Sequence, residues 1–130
     1  MISDDSVESR AKSRDEDFGK EEHILKSKDF NAVYKKGRAF KGEGLALYIF
    51  TNNLSHNRIG FSIGARNIKR AARRNRIRRL LREAYRLTKK DLRRGFDMII
   101  VVKRDPAKIT SYNEAKTVFL RFAKDARLLI

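Results

Sequence analysis

The chain has no cysteine, and only two of its 130 residues are histidines. The missing cysteine excludes disulfides, thiolate metal sites and a cysteine nucleophile, and it fits a reducing compartment. The imidazoles are His23, beside the N-terminal segment, and His56, in an expected turn. Their positions suggest no metal site, catalytic triad or histidine acid–base pair, so no catalytic residue is expected. No apolar run approaches the ~20 residues of a membrane span, so no membrane-spanning segment is expected. Residues 1–22 lack the apolar stretch of a secretory signal and are too acidic for an organellar transit peptide. Asn53-Leu54-Ser55 matches a glycosylation sequon, but nothing else points to secretion. Gly42-Glu43-Gly44 and Gly60 with Gly64 do not make a phosphate loop.

Acidic residues are scarce and unevenly placed. Lysine and arginine number 32 against 16 acids, a formal net charge of +16. Residues 1–22 hold eight of those acids and four bases, which leaves residues 23–130 with 28 bases, eight acids and a net charge of +20. Such a balance points to a polyanion, with nucleic acid first, an anionic membrane surface second and acidic protein third. Residues 1–22 are too poor in apolar side chains to offset the entropy of ordering, and are expected to form a disordered acidic tail. The tail is either a solubilising extension or a cover for the basic face that competes with non-specific RNA. Residues 23–130 are expected to form one domain.

Within that domain Ser27 is a plausible N-cap for a helix reaching about Lys36. Phe30, Val33 and Tyr34 share one face, and Gly37 serves as C-cap. A short extended piece at 38–41 and a strand over 45–51 follow. Asn52, Asn53 and residues 55–57 supply turn chemistry before a strand at 58–64. In that strand Ile59, Phe61 and Ile63 face one way, and Arg58, Gly60 and Ser62 the other. A basic segment spans 66–90. The near-continuous apolar run 96–103 suits a central strand covered on both faces and ends at Asp105-Pro106. Ser111-Tyr112-Asn113-Glu114 has the capping-box pattern. It opens a last helix with Ala115, Val118, Phe119, Phe122, Ala126 and Leu129 on one stripe. The order α-β-β-β-α-β-α predicts an α+β sandwich, with helices packed on a small sheet.

The basic segment contains twelve bases and one acid, Glu83. At ~100° per residue, Ile77, Leu80, Leu81, Ala84 and Tyr85 share one arc of a helix. Asn75, Arg76, Arg78, Arg79, Arg82 and Arg86 take the opposite side. Arg73 and Arg74 fall out of phase and are expected in the first turn. Solvated helix faces usually mix signs in i,i+4 pairs, and this one hardly does. Guanidinium forks pair with phosphate through two contacts and stack on bases, so an anion must neutralise the face. Phe30, Tyr34 and Tyr48 form an aromatic group beside basic residues. Periodicity alone favours core packing for it, with stacking of single-stranded bases as the alternative.

The run Arg74-Asn75-Arg76-Ile77-Arg78-Arg79-Leu80-Leu81-Arg82-Glu83-Ala84-Tyr85-Arg86 resembles the signature helix of the bacterial ribonuclease P protein family. Leu25–Phe30 with Val33, Tyr34 and Gly37 resembles the family's first helix. Residues 45–48, 58–63 and 97–102 resemble its strands, so the likeness covers roughly 24–128 and leaves the acidic tail outside. It implies a two-layer α-β sandwich with a left-handed crossover around the signature helix, against the general rule for such connections. It also implies that the chain is the protein component of a cytoplasmic endoribonuclease. The catalytic RNA of that enzyme uses magnesium to remove the 5′ leader of precursor tRNA. The implied partners are that RNA and precursor tRNA, with no membrane and no DNA.

By the same resemblance Arg74, Asn75, Arg76, Arg78, Arg79 and Arg82 match the signature that binds the RNA subunit. Arg66, Lys69, Arg70, Arg73 and Arg86 extend that surface. Phe30, Tyr34 and Tyr48 match aromatics of a cleft for the leader, which reverses the preference for core packing. Lys103 and Arg104 match basic residues at the end of the last strand. The chain departs from the pattern at Ala65-Arg66, where the family often has two lysines; Lys69 and Arg70 lie close enough in sequence to offset the missing contact. The competing readings are a ribosomal or chromosomal nucleic-acid-binding protein and, less favoured by the histidine count, a self-sufficient nuclease.

Overall fold

The computed structural model describes residues 22–23, 27–42 and 44–130. Helix α1 spans Ser27–Lys36, with strands β1 at Arg38–Gly42, β2 at Leu45–Thr51 and β3 at Arg58–Ile63. Helix α2 covers Ala71–Thr88 and tightens into a 3-10 turn at Lys89–Asp91; strand β4 is Phe96–Val102 and helix α3 is Tyr112–Asp125. The order is the α-β-β-β-α-β-α expected from the sequence.

The four strands lie in the order β1-β2-β4-β3. β1 with β2 and β2 with β4 are antiparallel, whereas β3 runs parallel to β4. A parallel neighbour needs a crossover, and α2 supplies it. Alternation then sorts the side chains. Leu45, Leu47, Ile49, Ile59, Ile63, Met98, Ile100 and Val102 enter the main core with Ile77, Leu81, Ala84 and Tyr85 of α2 and Phe119 and Phe122 of α3. The sheet and these two helices are the sandwich. α1 lies on the other side of β2 and β4, where Val33 and Ile99 form a second, small buried pair. The apolar run of β4 is thereby covered on both faces, as its composition requires.

Several local expectations change. Gly37 receives the helix-ending bond, its N–H donating to the Val33 carbonyl at 2.9 Å. What requires glycine there is close approach rather than a left-handed backbone, since a Cβ would lie 2.5 Å from the carbonyl oxygens of both Val33 and Ile49. α3 stops at Asp125, short of Leu129. Arg127 takes a left-handed φ of 58°, and Leu128 N–H donates to the Ala123 carbonyl at 2.8 Å. This is a Schellman ending with arginine in the usual glycine position. The capping box is displaced by one residue. Glu114 accepts from the Thr110 amide at 2.9 Å and hydroxyl at 2.6 Å, and Ser111 Oγ adds a bond at 3.3 Å. The Thr110 hydroxyl, then its amide, hold the Glu114 carboxyl below the usual carboxylate range. Asn57, read as a turn residue, is buried. It donates to the Arg93 carbonyl at 2.8 Å and accepts from Phe96 N–H at 2.9 Å, tying the start of β3 to that of β4.

The expected acidic tail lies outside the described residues except for Glu22. That carboxylate accepts from Tyr85 Oη at 2.9 Å and pairs with Lys89 Nζ at 2.8 Å. His23 bridges to Ile59 in parallel at the outer edge of β3. Glu22, counted with the expected tail, thus bonds two residues of the domain.

Candidate nucleic-acid interface

The basic helix splits largely as its periodicity demands. Ile77, Leu81, Ala84 and Tyr85 are buried, Leu80 is partly so, and Asn75, Arg76 and Arg79 are exposed. Arg82 departs from the wheel, with only 8% of its surface exposed, although its angle places it on the charged side. Arg86 is half-buried and bonds Glu83 three residues earlier, Nε to Oε1 at 3.1 Å with a second contact from Nη2 to Oε2. The exposed guanidinium surface is therefore concentrated in the N-terminal half of α2.

Upstream of the helix, Asn67 and Ile68 N–H both donate to the Gly64 carbonyl at 3.1 Å. This turn buries Ile68 and leaves Arg66, Lys69 and Arg70 exposed. Arg73 and Arg74 occupy the first turn of α2, as their phase predicts, but both are engaged by the protein. Arg73 donates to Asp105 Oδ1 at 3.0 and 2.9 Å, and to the carbonyls of Ile109 and Pro106 at 3.0 Å each. Arg74 Nη1 donates to the Ile68 carbonyl at 2.7 Å. Arg76 Nη2 reaches the Thr110 carbonyl at 2.8 Å, and Arg78 Nη1 donates to Asn75 Oδ1 at 3.2 Å. Arg73 and Arg76 thus clamp α2 to the segment between β4 and α3. The first turn of α2 carries no acidic residue. Its free N–H groups and added arginines make that end a favourable place for an anion.

The aromatic group lies across the sheet from α2. Phe30 and Tyr34 have ring centroids 6.4 Å apart, and Tyr34 meets Tyr48 edge-on at 5.1 Å. Val33 and Ile99 are fully buried beneath them, whereas Tyr34 keeps 38% of its surface exposed. Phe30 and Tyr48 are intermediate. The rings line the surface of a small core, so neither of the two alternatives read from periodicity describes them alone. Phe50 and Val101 pack in the same cluster. The sequence reading passed over both, although period-two alternation from Tyr48 and Ile99 identifies them. Arg58, Gly60 and Ser62 are the β3 residues on this side, the last two with minimal side chains. Lys103 and Arg104 are exposed just beyond β4, with their N–H groups donating to the Gly44 carbonyl at 2.8 and 3.3 Å.

A basic crossover helix on one face of a mixed sheet, and an aromatic surface on the other, define an α+β protein with two candidate surfaces for a polyanion. A family model described as Ribonuclease P matches residues 18–126. The ribonuclease P protein component of Alkaliphilus metalliredigens is 34% identical over 106 residues, covering 82% of this chain and 94% of that protein. That of Pelotomaculum thermopropionicum is 41% identical over 82 residues, covering 63% and 72%. The solved structure of the Staphylococcus aureus RNase P protein superposes with a TM-score of 0.73 at 27% identity, over 84% of this chain and 98% of that one. The Thermotoga maritima RNase P protein shares the fold, with a TM-score of 0.70 at 21% identity. The chain belongs to the ribonuclease P protein component family.

It is accordingly the protein subunit of a tRNA-processing ribonucleoprotein endoribonuclease, and membership implies association with the ribonuclease P RNA and precursor tRNA. The family's holoenzyme is magnesium-dependent. Among the described residues no group of three or more histidines or carboxylates converges to hold a metal ion. Asp97 and Asp105 are engaged by arginines instead. Among the described residues no helix is long and apolar enough to cross a membrane.

Proposed function

We propose that this subunit binds the catalytic RNA with the N-terminal half of α2 and the turn before it, and the precursor's single-stranded 5′ leader with the aromatic surface. Arg66, Lys69, Arg70, Arg76, Arg78 and Arg79, with Asn75, are the groups that meet RNA-subunit phosphates. Arg73 and Arg74 act mainly by fixing the helix start. Arg82 and Arg86 act within the protein, through packing and the Glu83 pair. Phe30, Tyr34 and Tyr48 stack leader bases, while Lys103 and Arg104 meet leader phosphates. The chemistry belongs to the RNA subunit, where magnesium activates the phosphodiester for hydrolysis. The protein holds the leader in place and lowers the charge repulsion between two RNAs.

The observation that carries this reading is the row Phe30, Tyr34 and Tyr48, whose rings remain partly exposed above the buried Val33–Ile99 pair. A core would have enclosed them; a stacking platform leaves their faces accessible. The test is binding of precursor and mature tRNA by holoenzyme reconstituted with bacterial catalytic RNA. Phe30→Ala and Tyr34→Ala are expected to weaken precursor binding by ~1–3 kcal/mol per lost stack and to spare mature tRNA. Equal losses for both ligands would refute the assignment.

A further inference from the structure

The end of β4 sends two basic residues to opposite sides of the sheet. Lys103 continues the alternation of Ile99 and Val101 on the α1 side. Arg104 turns the other way and lines a cavity of about 560 Å³ between the segment after β4 and helix α3. Pro106, Ile109 and Val118 are buried and contribute apolar atoms to its wall. Arg104, Lys108 and Arg121 are exposed and bring three cations to it. Its two carboxylates are already engaged within the protein, Asp105 by Arg73 at 2.9 Å and Glu114 by the Thr110 hydroxyl at 2.6 Å. The wall is also braced, because Arg73 holds the Pro106 and Ile109 carbonyls and Ile109 N–H donates to the Pro106 carbonyl at 2.8 Å.

An apolar surface bordered by cations suits one nucleotide of a single strand, with the base against the apolar wall and the phosphodiester at the rim. The cavity and the aromatic row lie on opposite faces of the sheet, at the end of β4 where the Lys103 and Arg104 N–H groups donate to the Gly44 carbonyl of the β1–β2 turn. Tyr48 pairs with Ile99, and Lys103 lies four residues further on, ~13 Å along an extended strand. A few nucleotides of leader cover that span, with Lys103 beneath them. We propose that this cavity is a second leader site, which takes a nucleotide farther from the cleavage point than those on the aromatic row. The proposal rests on the leader-binding reading above.

Its test is a series of precursors with leaders lengthened one nucleotide at a time, bound to the reconstituted holoenzyme. Wild-type affinity should rise in two stages, the first from the aromatic row and the second from the cavity. Thr117→Glu puts a carboxylate in the cavity, one turn before Arg121, on an exposed helical position whose hydroxyl bonds only the Asn113 carbonyl. This variant should abolish the second stage, a loss of about fivefold or more on long leaders, and leave short leaders unchanged. Lys108→Glu should do the same, with thermal unfolding confirming that both variants are folded. A second stage that persists in both folded variants overturns the proposal. So does an equal loss on short leaders and mature tRNA, which would give the cavity to the RNA subunit. Phe30→Ala should remove the first stage. If it changes no leader length, the aromatic reading fails, and the extension falls with it whatever Thr117→Glu does.

Discussion

Arg58 and Asp97 join β3 to β4 through two parallel hydrogen bonds, Nε to Oδ1 at 2.8 Å and Nη2 to Oδ2 at 2.6 Å. They are register partners in the parallel pair, and Asp97 is buried. Asn52 Nδ2 donates a third bond to Asp97 at 2.9 Å, and Arg58 Nη1 lies 3.6 Å from Asp29 on α1. The pair therefore locks the crossover strand to its neighbour and ties the first helix to the same corner. Arg58→Met leaves a buried carboxylate with one partner fewer. Its cost should be about 2–3 kcal/mol, less than the ~3–5 of a fully buried pair because Arg58 is partly exposed. Denaturant unfolding measures this; a loss under ~0.5 kcal/mol would refute the role.

Arg73 and Arg79 stand six residues apart on the same helix, on different faces, and should fail in different ways. Arg73→Ala removes donors from Asp105, Pro106 and Ile109, so it should lower stability by about 1–3 kcal/mol. Arg79 is exposed, and Arg79→Ala should leave stability within ~0.5 kcal/mol. If it neutralises one phosphate, its loss should flatten the log–log salt slope for RNA-subunit binding by ~0.7–0.9. Unfolding and salt-titrated binding of both variants test the division. Reversed effects would mean that the signature arginines are misassigned.

Much of this division was hidden from sequence. The wheel placed Ile77, Leu81, Ala84 and Tyr85 in the core because a 3.6-residue period is a property of the helix itself. The fate of each arginine depends on what the rest of the chain brings near it. Arg73 reaches carbonyls more than 30 positions away, and no local pattern encodes such a partner. Arg82 is buried because neighbouring structure covers its side of α2, which the wheel treats as solvent. The strand at 58–64 was legible from alternation, those at 45–51 and 96–103 from β-forming and apolar composition, and the β3–α2–β4 crossover only through family resemblance. The cavity beside α3 left no periodic signal, since its lining comes from a loop and one helix flank.

Gly37 tests whether close approach, rather than backbone freedom, is what β2 demands of the end of α1. Gly37→Ala places a methyl carbon 2.5 Å from two backbone carbonyl oxygens, Val33 and Ile49. Neither atom belongs to a side chain that can rotate away, so α1 must shift off the sheet. The expected cost is about 1–3 kcal/mol, in the range for overpacking. Because α1 carries Phe30 and Tyr34, precursor binding should weaken as well, while RNA-subunit binding through α2 should hold. Unchanged unfolding together with unchanged precursor affinity would show that the helix end tolerates the displacement.

Tyr85 predicts how stability responds to alkali. Burial foremost, and then the charge of Glu22, push its phenol well above the usual tyrosine value of 10.0. The unfolded chain ionises near that usual value, so the folded state favours the proton. The contribution is then full below about pH 10 and is lost as pH rises from there toward the folded-state value. At neutral pH, Tyr85→Phe deletes the bond to Glu22, which keeps Lys89 as a partner. The variant should be less stable there by about 1–2 kcal/mol. Above about pH 10 the wild type should lose stability faster than the variant, because phenylalanine has nothing to ionise, and the gap should narrow. Denaturant unfolding of both proteins from pH 7 to about pH 11 measures that gap. A constant gap would mean that the folded phenol titrates like an unfolded one, contrary to its burial beneath α3 and its bond to Glu22.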